Sequence, residues 1–158
     1  MSSYDEPPSH SPPGSGAPGA RLVKVGFDEL EVGKRYGPFP YRITREQSDG
    51  LRGPVGEVHR GETVPPGVFP ILFLRGFADA LGGIPPGGLL AREELEIDAL
   101  LPAEAEVLVE VWIGEKFVKR GRPRAVFEFS VTPSGGGRRV ASGRMVIVWA
   151  PVEEQERA

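Results

Sequence analysis

Hydrophobic and polar positions fall into three regimes along the chain. From Leu89 onward, apolar residues alternate with polar ones at the two-residue period of half-buried strands. In Glu106 to Lys119, Val107, Val109, Val111 and Ile113 share one face, with Glu106, Leu108, Glu110 and Trp112 on the other. Leu89 to Leu100 mixes Leu90, Leu95 and Ile97 with Arg92, Glu93, Glu94 and Glu96, and Arg124 to Thr132 aligns Ala125, Phe127, Phe129 and Val131. Pro133-Ser134-Gly135-Gly136-Gly137 predicts a turn into a last strand, Arg138 to Ala150. The middle regime is one helix, Phe69 to Leu81, fenced by Pro65-Pro66-Gly67 before it and by Gly82-Gly83 and Pro85-Pro86-Gly87 after it. Phe69, Ile71, Leu72, Phe73, Leu74, Phe77, Ala78 and Leu81 leave little besides Arg75 and Asp79 for solvent, and a helix apolar nearly all round belongs inside something.

The third regime is the first part of the chain. Residues 1–20 hold five prolines among Ser and Gly, a composition that buries too little apolar surface to offset ordering, and read as a disordered tail. Leu22, Val23 and Val25 then precede a lead-in turn, Phe27 to Lys34, and Tyr36 to Thr44 predicts a first strand. Thr44 with Gln47 three residues later is a capping signal for a short helix from Arg45, which Gly50 and Gly53-Pro54 would end. Between Gly50 and Gly67 no periodicity survives, so this is a loop running straight into the apolar helix. The expected organisation is a single domain over 21–151 with a charged tail at 152–158. One helix that must be buried, followed by long antiparallel strands, predicts an α+β hot-dog fold: an antiparallel sheet wrapped around one central apolar helix. One short helix cannot cover a whole five-stranded sheet, so a dimer joined edge to edge is expected.

Composition narrows the function. The 158 residues carry a formal net charge of −3, which argues against a nucleic-acid surface. The local cluster Lys116, Lys119, Arg120, Arg122 and Arg124 reads first as a solvated strand end. The absence of cysteine removes disulfides, thiolate nucleophiles and Cys-ligated metals, and fits a reducing cytoplasm. Two histidines, His10 and His59, are too few for a multi-histidine metal site, so no metal is expected. No apolar run approaches the ~18 residues of a spanning helix, and the chain reads as soluble, with no membrane partner.

The order of motifs is similar to a known family. An early strand, a Gly/Pro loop and a buried helix opening at Pro66-Gly67-Val68-Phe69 come first. Leu90-Ala91-Arg92-Glu93-Glu94-Leu95-Glu96, Val118-Lys119-Arg120-Gly121-Arg122 and Val140-Ala141-Ser142-Gly143-Arg144 then follow. Together they resemble the MaoC-like hot-dog dehydratases, in particular their N-terminal dehydratase half, over roughly Phe27 to Trp149. The resemblance implies action on acyl thioesters of coenzyme A or acyl carrier protein, with no further cofactor, adding water across an enoyl bond or removing it in fatty-acid metabolism. Active members of that family carry Asp and His in a G-D-x-N-P-x-H loop ahead of the buried helix. The matching region here is Gly53-Pro54-Val55-Gly56-Glu57-Val58-His59-Arg60-Gly61, without an Asn-Pro step, with Glu57 at best in place of Asp and close to His59.

Enoyl hydration needs a base for water, an acid for the α carbon and donors for the developing enolate oxygen. Glu57 and His59, on the same side of an extended segment, are the acid-base candidates, with Asp49 and Glu62 as reserve carboxylates. The helix start, Gly67, Val68 and Phe69, is the candidate thioester-binding element, through amides lacking intrahelical partners. Two other readings stand beside the hydratase or dehydratase. One is a non-catalytic hot-dog subunit that binds the acyl chain and pairs with a catalytic partner, as homodimer or heterodimer. The other is an acyl-CoA thioesterase, for which Asp79 is the helix carboxylate.

Overall fold

The protein is described by a computed structural model that covers residues 21–52 and 63–157. The predicted tail at 1–20 and the loop residues Glu57, His59 and Glu62 lie outside the described residues. Five strands form one antiparallel sheet in the order β1-β3-β4-β5-β2. They are β1 (Arg35–Arg42), β2 (Leu89–Ile97), β3 (Glu106–Lys119), β4 (Arg122–Pro133) and β5 (Ala141–Val148). Three helices accompany them: α1 (Arg45–Arg52), α2 (Val68–Leu81) and α3 (Val152–Gln155).

Register explains which residues are buried. Paired residues of antiparallel strands share a face, so the pairs Val109–Val131, Val111–Phe129 and Ile113–Phe127 stack with Ala141 and Met145 on one side. All these side chains are at most 4% exposed. The opposite side carries Arg35, Glu110, Trp112, Glu128 and Arg144, joined by an Arg35–Glu110 ion pair and by Arg35 stacked 4.7 Å from the Trp112 ring. Such exposed pairs contribute about 0–1 kcal/mol each. The inner face, where each fully buried Val or Phe is worth about 1.5–3 kcal/mol, dominates.

Helix α2 lies across that inner face over β1 and β3. Pro65 and Pro66 open it, with the amides of Val68 and Phe69 donating to their carbonyls at 3.1 Å each. Pro70, which has no amide to lose, sits in the first turn. Gly82 in the left-handed conformation (φ 74°) ends it, and the Gly82 and Gly83 amides turn back onto Asp79 and Ala78. Val68, Phe69, Leu72, Phe73, Gly76 and Phe77 are buried against the sheet. Phe73 stacks on Phe129 at 4.7 Å between centroids, and Phe77 meets Phe127 edge-on at 4.8 Å.

The expectation that α2 is enclosed on nearly every side needs correction. Ile71 is 43% and Leu74 48% exposed, alongside the anticipated Arg75 and Asp79. The sheet is not long enough in strands to close over the helix. For the same reason the inner side of β2, at one edge, stays uncovered: Leu90, Leu95 and Ile97 are 37% exposed or more.

Two local devices fasten the ends. Within the charged C-terminal segment, Val152–Gln155 forms α3 and places Gln155 at 4% exposure. Its side-chain amide donates to the carbonyls of Val25 and Ala150, and its side-chain oxygen accepts from the Val25 amide. Trp149 adds a bond to the Val25 carbonyl at 2.8 Å. Lys116, in the cluster read as a solvated strand end, instead points to the inner side, donates to the Leu30 carbonyl at 2.8 Å and lies 4.5 Å from the Phe27 ring. At α1 the predicted cap forms reciprocally, with the Gln47 amide donating to the Thr44 hydroxyl (3.2 Å) and the Thr44 amide to the Gln47 side chain (3.1 Å).

Candidate active site between the two helices

Helix α1 leaves the end of β1, and together with the first half of α2 it lines a half-open cavity of about 250 Å³. Its apolar walls are Ile43, Leu51, Val68, Ile71 and Leu72. Val68, Ile71, Leu72 and Arg75 follow the i, i+3, i+4, i+7 spacing of one helical stripe, which is why a single helix supplies a whole wall and its cation together. Among the described residues the polar lining is Arg42, Gln47 and Arg75, with no carboxylate. Arg42 is committed to Glu104 at 3.1 Å.

Arg75 is held differently. Its guanidinium lies 5.2 Å from the Tyr41 ring centroid, and the Tyr41 hydroxyl donates to the Asp79 carboxylate one helical turn on. Among the described residues no carboxylate lies within ion-pair distance of Arg75. Burial, then the bond to Asp79 and its charge, push the Tyr41 hydroxyl well above the ordinary phenol range, against a smaller opposing effect of Arg75. Tyr41 therefore stays protonated and keeps donating to Asp79.

The structure separates the three residues expected at the helix start. Gly67 is exposed and its amide has no backbone acceptor among the described residues; a Cβ there would touch nothing within 4 Å. Val68 is 5% exposed, lines the cavity with its side chain, and has its amide taken by Pro65. Phe69 is a core residue at 1% exposure whose amide is taken by Pro66. With Pro70 next, the donor capacity of this helix start is concentrated in Gly67. Glu57 and His59 lie outside the described residues. Gly50 and Leu51, which precede their segment, line the cavity, and Val64, which follows it, is tied to the Leu101 carbonyl at 2.7 Å.

Sequence reasoning missed Arg42, Gln47 and Arg75 as lining residues. The available signal was a lone cation on an apolar helix, in the same stripe as Val68 and Ile71. A second, wholly apolar hollow of about 170 Å³ lies at the other end of α2, between Leu74, Phe77, Leu90, Met145, Ile147 and Trp149.

An antiparallel sheet laid over one central helix, with a helix-flanked cavity at its start, defines a hot-dog protein. It has the fold that R-hydratases and MaoC-like dehydratases carry. R-hydratase PhaJ1 from Pseudomonas aeruginosa superposes with a TM-score of 0.65 at 19% identity, over 82% of this chain and 88% of that one. The HadBC (3R-hydroxyacyl-ACP dehydratase) complex from Mycobacterium tuberculosis gives 0.64 at 13%, over 80% and 100%. A MaoC-like dehydratase from Rhodospirillum rubrum gives 0.58 at 16%, over 79% and 97%. No family model and no curated protein sequence matches the chain. Among the described residues no helix is long and apolar enough to cross a membrane, and no cluster of three or more His, Asp or Glu is placed to hold a metal.

Proposed function

We propose that the protein is an acyl-thioester hydratase or dehydratase of hot-dog type, working on coenzyme A or acyl carrier protein thioesters in the cytoplasm. The observation that carries this reading is the cavity lined by α1 and α2, whose apolar wall begins at Val68, one residue after the Gly67 amide. In this assignment the acyl chain lies along Val68, Ile71 and Leu72, and the thioester oxygen accepts from Gly67. His59 and Glu57 move the protons: one removes a proton from water as it attacks the β carbon, the other delivers one to the α carbon. The neighbours named as hydratases and a dehydratase support the class of reaction.

One observation favours a second reading, a non-catalytic subunit. Laid on the G-D-x-N-P-x-H motif, Gly53 and His59 fall on its first and last positions, Pro54 falls on the Asp and Glu57 on the Pro. A partner with an intact loop would supply the missing carboxylate. We further propose pairing with a second hot-dog subunit through β2. That strand has one unpaired edge, and its inner side carries the exposed Leu90, Leu95 and Ile97, with Leu74 and Leu90 lining one hollow, which a partner's sheet and helix would bury. The neighbours described as complexes support it.

Incubation of the full chain with crotonyl-coenzyme A, following enoyl absorbance and free thiol together, tests these readings. Enoyl loss abolished by His59→Ala supports the hydratase, thiol release the thioesterase. Binding of the thioester without turnover supports the subunit reading, and no binding refutes all three.

A further inference from the structure

We propose that Arg75 selects the acyl group by its charge: the cavity takes a short acyl chain that ends in a carboxylate, as in the monothioester of an unsaturated dicarboxylic acid. The inference rests on the acyl-thioester reading of the site and adds the substrate class to it. Three observations carry it. Among the described residues the lining holds two arginines and a glutamine and no acid, and Glu104 pairs with Arg42. Arg75 is fixed by the Tyr41 ring rather than by a carboxylate, so its cation is oriented and its fork of donors stays available. The walls between Val68 and Arg75 are aliphatic, which suits a ligand that is apolar in the middle and charged at its end.

Length agrees with this. Val68 and Arg75 are seven residues apart on one helix, about 10 Å along its axis, and the arginine side chain shortens what a ligand must span. At about 250 Å³ the cavity lies near the small end of ligand pockets, which run from about 300 Å³ upward. A short chain with a methyl end would leave the guanidinium facing apolar carbon. A planar carboxylate accepts two parallel bonds from it. A phosphate of the carrier is the other anion of matching charge. It is disfavoured because Arg75 sits a full two turns into the helix from Gly67, beyond the aliphatic wall.

The test is a comparison of ratios. Binding of glutaconyl-coenzyme A and of 2-pentenoyl-coenzyme A, equal in carbon number and differing in the terminal carboxylate, is measured by calorimetry on the full-length chain and on Arg75→Gln and Arg75→Lys. Unreactive thioether analogues serve where turnover intervenes. The wild type is expected to favour the carboxylate-bearing ligand at least tenfold. Arg75→Gln should bring that ratio close to one, and Arg75→Lys should restore part of it. A wild-type ratio near one, or an equal loss for both ligands in Arg75→Gln, overturns the proposal. So does a matching loss for free coenzyme A, which would assign Arg75 to the carrier phosphates. Because binding is read apart from turnover, a chain that discriminates without hydrating would remove the hydratase assignment and leave this one standing.

Discussion

Gly143, in the middle of β5, is a position where the fold leaves no room for a side chain. A Cβ built there would stand 2.3 Å from Cε2 of Phe73 and 2.4 Å from the carbonyl oxygen of Glu94. Optimal carbon contacts are about 3.5–4.0 Å, so Gly143→Ala requires both the ring and the β2 backbone to withdraw. Neither is free to do so: Phe73 is fully buried and stacked on Phe129, and Glu94 is held in the β2–β5 ladder. Overpacking of a tight core costs about 1–3 kcal/mol, and this site belongs at the upper end, a large part of the ~5–15 kcal/mol that holds a domain together. In urea, with a slope of about 1–3 kcal/mol per molar, the unfolding midpoint should fall by about 1 M or more. Phe73→Leu removes the atom that clashes, so the double variant should be less damaged than the two single losses together, with a coupling in the range of about 0.5–3 kcal/mol. The Glu94 carbonyl remains in place and keeps the rescue partial. Measurements belong at one protein concentration, since association would shift the midpoint. A loss below about 0.5 kcal/mol for Gly143→Ala, or strict additivity with Phe73→Leu, would refute this account of the contact.

Two further outcomes concern charge. The Arg45 backbone amide, followed by Arg42, holds the Glu104 carboxyl below its ordinary value, so its contribution is present above the unfolded carboxylate pKa and is lost as pH falls through the lower folded value. Glu104→Gln should flatten that acid limb of the stability curve and leave its slope at neutral pH unchanged. Asp79→Ala removes the bond and the charge that help keep Tyr41 protonated, so the alkaline ultraviolet titration of Tyr41 should move down toward the ordinary phenol range. Burial, the largest cause, should stop it short of that range; an unmoved titration would mean that Asp79 has no part in the shift.

Much of the scaffold was legible because its signals are local. Thr44 and Gln47 announced the cap of α1, alternation in Val107 to Ile113 gave β3 its inward face, and Pro65-Pro66-Gly67 and Gly82 bracketed α2 within a residue. What stayed hidden depends on contacts between distant segments. Ile71 and Leu74 are as apolar as Leu72, and only the number of strands available decides which of them the chain itself covers. Gln155 reads as one polar residue in an acidic tail until Val25 is found beside it. Arg75 was visible as a cation on an apolar helix, but its role needed α1 and β1 folded against the same stripe. The proposed acid-base residues, Glu57 and His59, rest on residue types at a spacing, for both lie outside the described residues.

The clasp between Gln155 and Val25 joins positions 130 apart in the chain. Closing so wide a loop has an entropic cost that only completed strands in between can offset. During synthesis the segment around Val25 must therefore wait, without its final hydrogen bonds, until Gln155 has emerged. By then all five strands of the sheet have been made, so the clasp closes over a sheet whose parts are already present.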